Sequence, residues 1–355
     1  MAHNPAENIL NDLSSPGILF EKLENDSVRC QACAHRCVIK PGKRGICLMR
    51  FNKGGELYVP WGYVGIAQTD PIEKKPFSHF LPGSDALTFG MLGCNFHCAN
   101  CQNWFSSQTL RDPASNRSVD GIQQVSAEQI VQYALSSGAS TIASSYNEPL
   151  ISTEWAVEIF REAKKYNLRT VFVSNGFATP ESLKMLTPVL DGYKVDLKTM
   201  QDAQYRGLGG RLGPVLNTIQ NAWQAGLWVE VVTLVIPGFN DSPEELWEIS
   251  RFICSISPDI PWHVSAFHPD YKMTAPSRTP AETLQKAGEI GQEAGLNYVY
   301  AGNLPGKVGS LENTYCPNCQ KTLIKRRSYG ILDFQITSQG KCPQCQTSIP
   351  GIWTD

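Results

Sequence analysis

The chain has 355 residues, 42% of them hydrophobic, more than a single compact core usually uses, so one large domain with smaller attachments is expected. Its 31 lysines and arginines against 33 aspartates and glutamates leave a formal charge of −2 with no long basic block, which excludes bulk electrostatic capture of nucleic acid or of an anionic membrane. No apolar run reaches membrane-spanning length and residues 1–13 lack the apolar core of a signal peptide, so a cytoplasmic protein with no membrane attachment is the expectation.

Twelve cysteines in such a chain read as metal ligands rather than disulfides, because a reducing compartment disfavours the latter. They fall into three sets: Cys30, Cys33, Cys37 and Cys47; Cys94, Cys98 and Cys101; Cys316, Cys319, Cys342 and Cys345. Cys254 stands apart in the helical apolar pattern of 246–254 and reads as a small core hydrophobe.

In chain order, residues 1–27 read as a polar, loosely held leader, followed by a module over 28–85. Its thiols have the spacing C-x2-C-x3-C-x9-C, enough to close around one centre. Zinc and an auxiliary [4Fe-4S] cluster both accept four thiolates, and with no open coordination position evident a structural metal is favoured. His35, inside the knuckle, is expected to face solvent. Segments 57–59 and 63–67 read as short strands, and 70–83, taken alone, as a solvated loop punctuated by proline.

From 86 to 304, β-rich runs at 87–92, 141–146, 169–174, 193–197, 228–235, 263–267 and 298–300 alternate with amphipathic helical patterns. Ser126 with Gln129 forms a capping box, and Thr179-Pro180, Ser242-Pro243 and Thr279-Pro280 each set a cap before a first-turn proline, with Glu245 and Glu282 completing boxes. Repeated strand-helix units imply an α/β fold, a parallel sheet closing into a partial (β/α)6-type barrel. Such barrels bind ligands at the C-terminal ends of their strands. The Cys94 loop follows the first strand, Glu148 the second, Ser174 and Asn175 the third, Asp196 and Lys198 the fourth, and His268 the sixth. Each alone also reads as a cap, a turn or a surface pair; together they read as one ligand-binding mouth.

The C-x3-C-x2-C spacing of Cys94, Cys98 and Cys101 supplies three thiols where structural zinc takes four. A [4Fe-4S] cluster held by three cysteines keeps one iron open for a small molecule. In this the chain resembles the radical S-adenosylmethionine (SAM) enzymes. The resemblance implies that the open iron chelates SAM and that one-electron cleavage yields a 5′-deoxyadenosyl radical that abstracts hydrogen from a substrate. It implies that Glu148 contacts the SAM amino group, within Tyr146-Asn147-Glu148 where Gly-Gly-Glu is usual. By similarity to the glycyl-radical-activase branch, Ser174, Asn175, Asp196, Lys198 and His268 line the SAM pocket. The polar stretch 106–124 that follows the cluster loop reads as a lid or a solvated excursion.

Residues 305–355 form the last module. Cys316-Pro317-Asn318-Cys319 and Cys342-Pro343-Gln344-Cys345 flank segments 323–327 and 331–336, which alternate like hairpin strands. This reads as a zinc ribbon or a rubredoxin-like iron site, with zinc expected. Lys325-Arg326-Arg327 reads as a solvated edge.

With all three modules in view the chain resembles the radical SAM component of the AmmeMemoRadiSam system, related to the activases of pyruvate formate-lyase. The resemblance is carried by Asp70-Pro71-Ile72-Glu73-Lys74-Lys75-Pro76, Cys101-Gln102-Asn103-Trp104, Tyr146-Asn147-Glu148-Pro149, Val195-Asp196-Leu197-Lys198, the segment 261–271 ending in His268-Pro269-Asp270-Tyr271, and Glu312-Asn313-Thr314-Tyr315-Cys316-Pro317. It implies an enzyme acting on an undetermined substrate, a protein or peptide included, with partners of Memo and AMMECR type and a reducing electron donor. It also implies that the 70–76 loop lies at or near the barrel mouth. A glycyl-radical-enzyme activase is the alternative activity; a non-catalytic metal-bound scaffold or nucleic-acid adaptor is the alternative of another class. Ala34, Gln320 and Gln346 depart from the usual knuckle residues and put knuckle geometry in question.

Overall fold

The computed structural model describes residues 5–354. Eight strands form its main sheet: β1 (Ile66–Pro71), β2 (Asp85–Gly90), β3 (Thr141–Ser144), β4 (Arg169–Ser174), β5 (Gly192–Asp196), β6 (Trp228–Val235), β7 (Trp262–Ala266) and β8 (Val299–Gly302). They lie in unbroken chain order from β1 at one edge to β8 at the other. Every pair from β2 to β8 is parallel, and β1 alone runs antiparallel, on β2. The result is an α/β fold with a partial barrel-like parallel sheet. Strand β1 was expected to belong to the N-terminal module, and instead it completes the core sheet.

The strands alternate between two faces because successive side chains point opposite ways. Tyr193 and Val195 of β5 join Phe89, Phe172, Val229 and Val231 on the outer face, packed with helix residues such as Ile130, Phe160 and Ile219. On the inner face Ala86, Ala143, Val171 and Trp228 meet Ile72, Phe77 and Phe80. Those last three belong to the 70–83 segment, so it is not a solvated loop; it fills the barrel from within, and its Lys75 Nζ and Asp70 Oδ2 reach Tyr146 OH, next to the strand-end Asn147-Glu148, at 3.3 and 3.4 Å. Register puts Asp70 opposite Ala86 and Pro71 opposite Asp85, at the start of β2 and so at the far end of the sheet from the cysteine loop. Buried Ile72, Phe77 and Phe80 draw the segment into the barrel as a plug, taking Asp70, Glu73 and Lys75 out of solvent. Glu230, buried on β6, anchors it by accepting from the Ser78 and His79 backbone amides at 2.9 Å.

The helices begin where capping chemistry placed them. Ser126 with Gln129 makes a full capping box and Thr179 accepts from Ser182, with Pro180 in the first turn. Ser242 accepts from the Glu245 amide, but the Glu245 side chain turns away to Thr199 and Gln201. Thr279 does not cap the helix Ala281–Glu293. Its hydroxyl joins two strand ends, donating to Val235 O at 2.6 Å and accepting from Phe267 N at 2.9 Å.

Three surface expectations give way to packing. Part of the leader is ordered: the helix Pro5–Asp12 buries Ala6 and Leu10, and Ser14–Pro16 and Phe20–Lys22 pair with strands of the N-terminal module. The 106–124 stretch contains the 3-10 segment Pro113–Gly121 and buries Ser107, Gln108, Thr109, Ser115 and Ser118, so it is neither a solvated excursion nor an open lid. In the C-terminal module Thr322–Arg327 and Gly330–Phe334 form the expected hairpin, but Arg326 points inward. It donates to Ser78 O and Thr314 Oγ1 and lies over the Tyr300 ring, because alternation along the strand turns it away from exposed Lys325 and Arg327. The module docks on β8 and the plug: Tyr298 and Tyr300 share its core, and Ile352 exchanges backbone hydrogen bonds with His79 and Leu81. Among the described residues no helix is long and apolar enough to cross a membrane.

Candidate functional site

The cysteine loop leaves β2 at Gly90 and turns at Gly93, whose φ of +92° and contact with Met49 leave no room for a Cβ. Its fold is fixed by partners on all sides. Gly93 N donates to Ser106 O, His97 N to Leu208 O, and Lys272 N and Met273 N both to Ala99 O. Arg111 spans the loop from outside, donating to Phe96 O at 2.8 Å, Cys94 O at 3.3 Å and Ile46 O at 2.7 Å. Trp104 stacks on Tyr271 at 5.1 Å, and Tyr271 donates to Asp112. Neither Arg111 nor this Tyr271-Asp112 clasp stood out in the sequence, because both lie in segments without periodicity.

Burial pushes all three thiols up, Cys101 to about 11, while the Lys198 ammonium pulls Cys98 and Cys101 back down. The Phe96 amide donates to Cys94 Sγ at 3.3 Å. Soft sulfurs on one loop, a nearby cation and an N–H donor fit a thiolate-held iron-sulfur cluster with one position open.

The strand ends divide into two tiers. Around the opening, Asp196 keeps 30% and Lys198 25% of its side-chain surface, joined at 3.1 Å. Lys194, two residues earlier and so on the same face, also binds Asp196. Burial would raise the Asp196 carboxyl, but Lys194 and Lys198 outweigh it and hold it at about 2, an anion throughout neutral pH. His268 lies across the opening with Nε2 3.0 Å from Gln102 Nε2, beside Cys101 in sequence.

Beneath lies a tier of buried polar side chains bonded to one another. Glu148 is buried and accepts from Leu150 N at 3.0 Å, Ser174 Oγ at 2.7 Å and Asn175 N at 2.7 Å. Burial lifts its carboxyl to about 7, opposed by those three donors. Ser174 also accepts from Tyr193 OH and Gly176 N, and Asn175 Nδ2 donates to Asn95 Oδ1 at 2.7 Å. Asn147 Oδ1 takes the Met91 amide, tying the second strand end to the first. The structure therefore brings the expected residues together, with Asp196, Lys198 and His268 at the surface of the mouth and Glu148, Ser174 and Asn175 below it.

The Radical SAM superfamily profile matches residues 89–253, the span from β2 through Glu148, Ser174, Asn175, Asp196 and Lys198. An uncharacterized protein of Methanocaldococcus jannaschii is 38% identical over 336 residues, covering 94% of this chain and 98% of that protein. This chain belongs to the radical SAM superfamily. Among its radical SAM relatives, the isethionate sulfite-lyase activating enzyme of Oleidesulfovibrio alaskensis is 28% identical over 177 residues, which is 48% of this chain and 55% of that enzyme. The similarity to that activating enzyme thus spans about half of each chain. A solved domain of the pyruvate-formate lyase-activating enzyme of Bacteroides vulgatus aligns over 44% of this chain and 94% of its own, with 20% identity and a TM-score of 0.38. Radical SAM proteins are enzymes that use a [4Fe-4S] cluster and SAM, which matches the donor set of the 91–103 loop.

Two further cysteine sets lie outside this loop. The sulfurs of Cys316, Cys319, Cys342 and Cys345 all lie within 4.8 Å of one another. Gln320 and Gln346, which stand where glycine is common, adopt φ of +59° and +61°, so both knuckles form despite the side chains. Cys30, Cys33 and Cys47 are buried and Cys37 half-buried, and that module docks on the site itself. Cys33 bridges to Ala178 and Ala34 N donates to Phe177 O, just past Asn175. His35 does not face solvent: Nε2 meets Asn95 O at 3.1 Å and its ring packs on Phe177 at 4.8 Å.

Proposed function

We propose that this protein cleaves SAM reductively at a [4Fe-4S] cluster held by Cys94, Cys98 and Cys101 and directs the resulting 5′-deoxyadenosyl radical to a hydrogen atom of a partner protein. The observation that carries this is the gathering of the three-thiol loop with Asp196, Lys198 and His268 at one strand-end mouth. When bound, the cluster and SAM supply the electron transfer and the radical. The chain's own residues bind and orient. Lys198 offers a cation for a carboxylate, Asp196 an anion for ribose hydroxyls or an ammonium, and His268 a ring at the far side of the opening. Glu148 fixes the ends of β3 and β4 in register and presents a carboxyl that a SAM ammonium would favour as the anion.

A protein substrate is supported by the resemblance to activating enzymes, the relatives here being named for a sulfite-lyase and a sulfolyase that they activate. The AmmeMemoRadiSam resemblance names Memo-type and AMMECR-type proteins as partners, alongside a low-potential electron donor. The C-terminal four-cysteine site is read as a zinc ribbon, since sulfurs this close suit one tetrahedral ion. The test is to present deuterated candidate partners to the reconstituted protein with SAM and reductant. Deuterium entering 5′-deoxyadenosine supports the reading; product formed at full rate on a small molecule alone, with no label from any partner, overturns it. A glycyl radical signal arising in the partner would assign the activase form of the same chemistry.

A further inference from the structure

Cys30, Cys33, Cys37 and Cys47 form a second buried thiol set directly against the radical-cluster loop, and the spacing of the sulfurs in this one molecule separates two kinds of centre. Four thiolates on one tetrahedral ion at about 2.3 Å stand about 3.8 Å apart. The C-terminal set has that spacing, with Cys316 and Cys345 sulfurs 3.5 Å apart and Cys319 and Cys342 sulfurs 3.6 Å apart. Among the described residues it is the only group of three or more cysteines whose sulfurs all lie within 4.8 Å. The Cys94, Cys98 and Cys101 sulfurs do not all lie within that distance of one another, as suits ligands of three different irons. Nor do any three of the N-terminal four lie that close together. Their residues are held in place by structure, not slack: Cys30 lies on a paired strand, Cys33 bridges Ala178, and the Ile46 amide donates to Cys37 Sγ at 3.5 Å.

Asn95 supplies the second observation. It follows Cys94 directly, is fully buried, and its Nδ2 makes no hydrogen bond, although its side chain lies beside the Cys33 thiol. A buried N–H of this kind is costly unless it meets a strong acceptor, and a metal-bound thiolate is one. The Asn95 carbonyl also takes His35 Nε2, from inside the same knuckle. Ligands of the two sites thus meet across a single residue.

We propose that Cys30, Cys33, Cys37 and Cys47 hold a second [4Fe-4S] cluster, fully ligated by cysteine and in contact through Asn95 with the radical cluster. The three-cysteine loop serves as reference, so this inference rests on the reading above. Nothing in it requires the second cluster to react with SAM.

The experiment counts acid-labile sulfide and zinc in the full chain after anaerobic reconstitution with iron and sulfide, sulfide being blind to any rubredoxin-like iron. Wild type is expected to hold about eight sulfides, and a Cys94→Ala/Cys98→Ala/Cys101→Ala variant about four, with a low-temperature paramagnetic signal on reduction. A Cys30→Ala/Cys33→Ala variant should also fall to about four, and this reciprocal variant decides by difference should the first not fold. A triple variant without sulfide, or a reciprocal variant that keeps the full wild-type content and loses one zinc, overturns the second cluster. Wild type and triple variant both at about four would leave the second cluster standing and overturn the three-cysteine reading instead.

Discussion

Breaking the ion pair between Arg50 and Glu154 should loosen the N-terminal module from the barrel. Arg50 Nη2 donates to Glu154 Oε1 at 2.6 Å and Nη1 to Oε2 at 2.9 Å, with side-chain exposures of only 2% and 5%. Nη1 also reaches Ile151 O, and Glu154 Oε1 accepts from Ile18 N and Leu19 N at 3.3 and 3.2 Å. One carboxylate on the helix Thr153–Lys164 thus holds both the leader and the module. Glu154→Gln leaves a buried guanidinium without its counter-charge, which costs about 3–5 kcal/mol, and Arg50→Met strands the carboxylate at similar cost. Replacing both, Arg50→Met with Glu154→Leu, removes both charges and leaves two backbone amides without an acceptor, about 2 kcal/mol in total given their long bonds. Urea unfolding of metal-saturated protein, followed by circular dichroism, should therefore show the double variant more stable than either single, with a coupling of at least about 3 kcal/mol. Burial raises the Glu154 carboxyl but Arg50 draws it below its ordinary value, so its contribution is fully present above the unfolded carboxylate range and is lost as pH falls from there through the lowered native value. Single variants within about 1 kcal/mol of wild type, or additive effects, would refute the pair as the tie.

Other consequences follow from the same geometry. Glu148 is raised to about 7, so the native state holds a proton that the unfolded chain releases near 4.5; stability should fall as pH rises between those values, and Glu148→Gln should flatten that slope in urea titrations from pH 5 to 8. Lys198→Met removes a cation beside Cys98 and the exposed partner of Asp196, while Lys194 still holds Asp196; SAM cleavage should drop by about tenfold or more with the fold intact, read as initial rate against SAM concentration. Cys342→Ser, or chelation of the ion proposed for the C-terminal cysteines, should release that module from Tyr298 and Tyr300 and open its residues to protease while the barrel stays resistant.

The seven parallel strands were legible because each is a short β-rich run with a cap or turn before the next helix, and their order follows from right-handed crossovers. The antiparallel β1 was not, since Ile66, Ala67, Gln68, Thr69 and Asp70 carry no alternating pattern; pairing with β2 makes it a strand. The plug was misread for a related reason. Over 70–76 the charged Asp70, Glu73, Lys74 and Lys75 surround a single aliphatic residue, Ile72, yet three buried anchors and the Glu230 carboxylate across the barrel decide where the segment goes. At the site, position at or just past a strand end placed Asp196, Lys198 and His268 at the mouth, and i, i+2 alternation would have added Lys194. Asn95 and Arg111 act through contacts made across the fold, which no local spacing encodes.

The most direct measurement of the central claim is 5′-deoxyadenosine formation by anaerobically reconstituted protein given SAM and a strong reductant, with Cys98→Ser alongside. Product from wild type and none from Cys98→Ser is the predicted result. Equal product from both, or none from wild type carrying a full, reducible cluster even with its candidate partner proteins present, would contradict a radical-generating site at Cys94, Cys98 and Cys101.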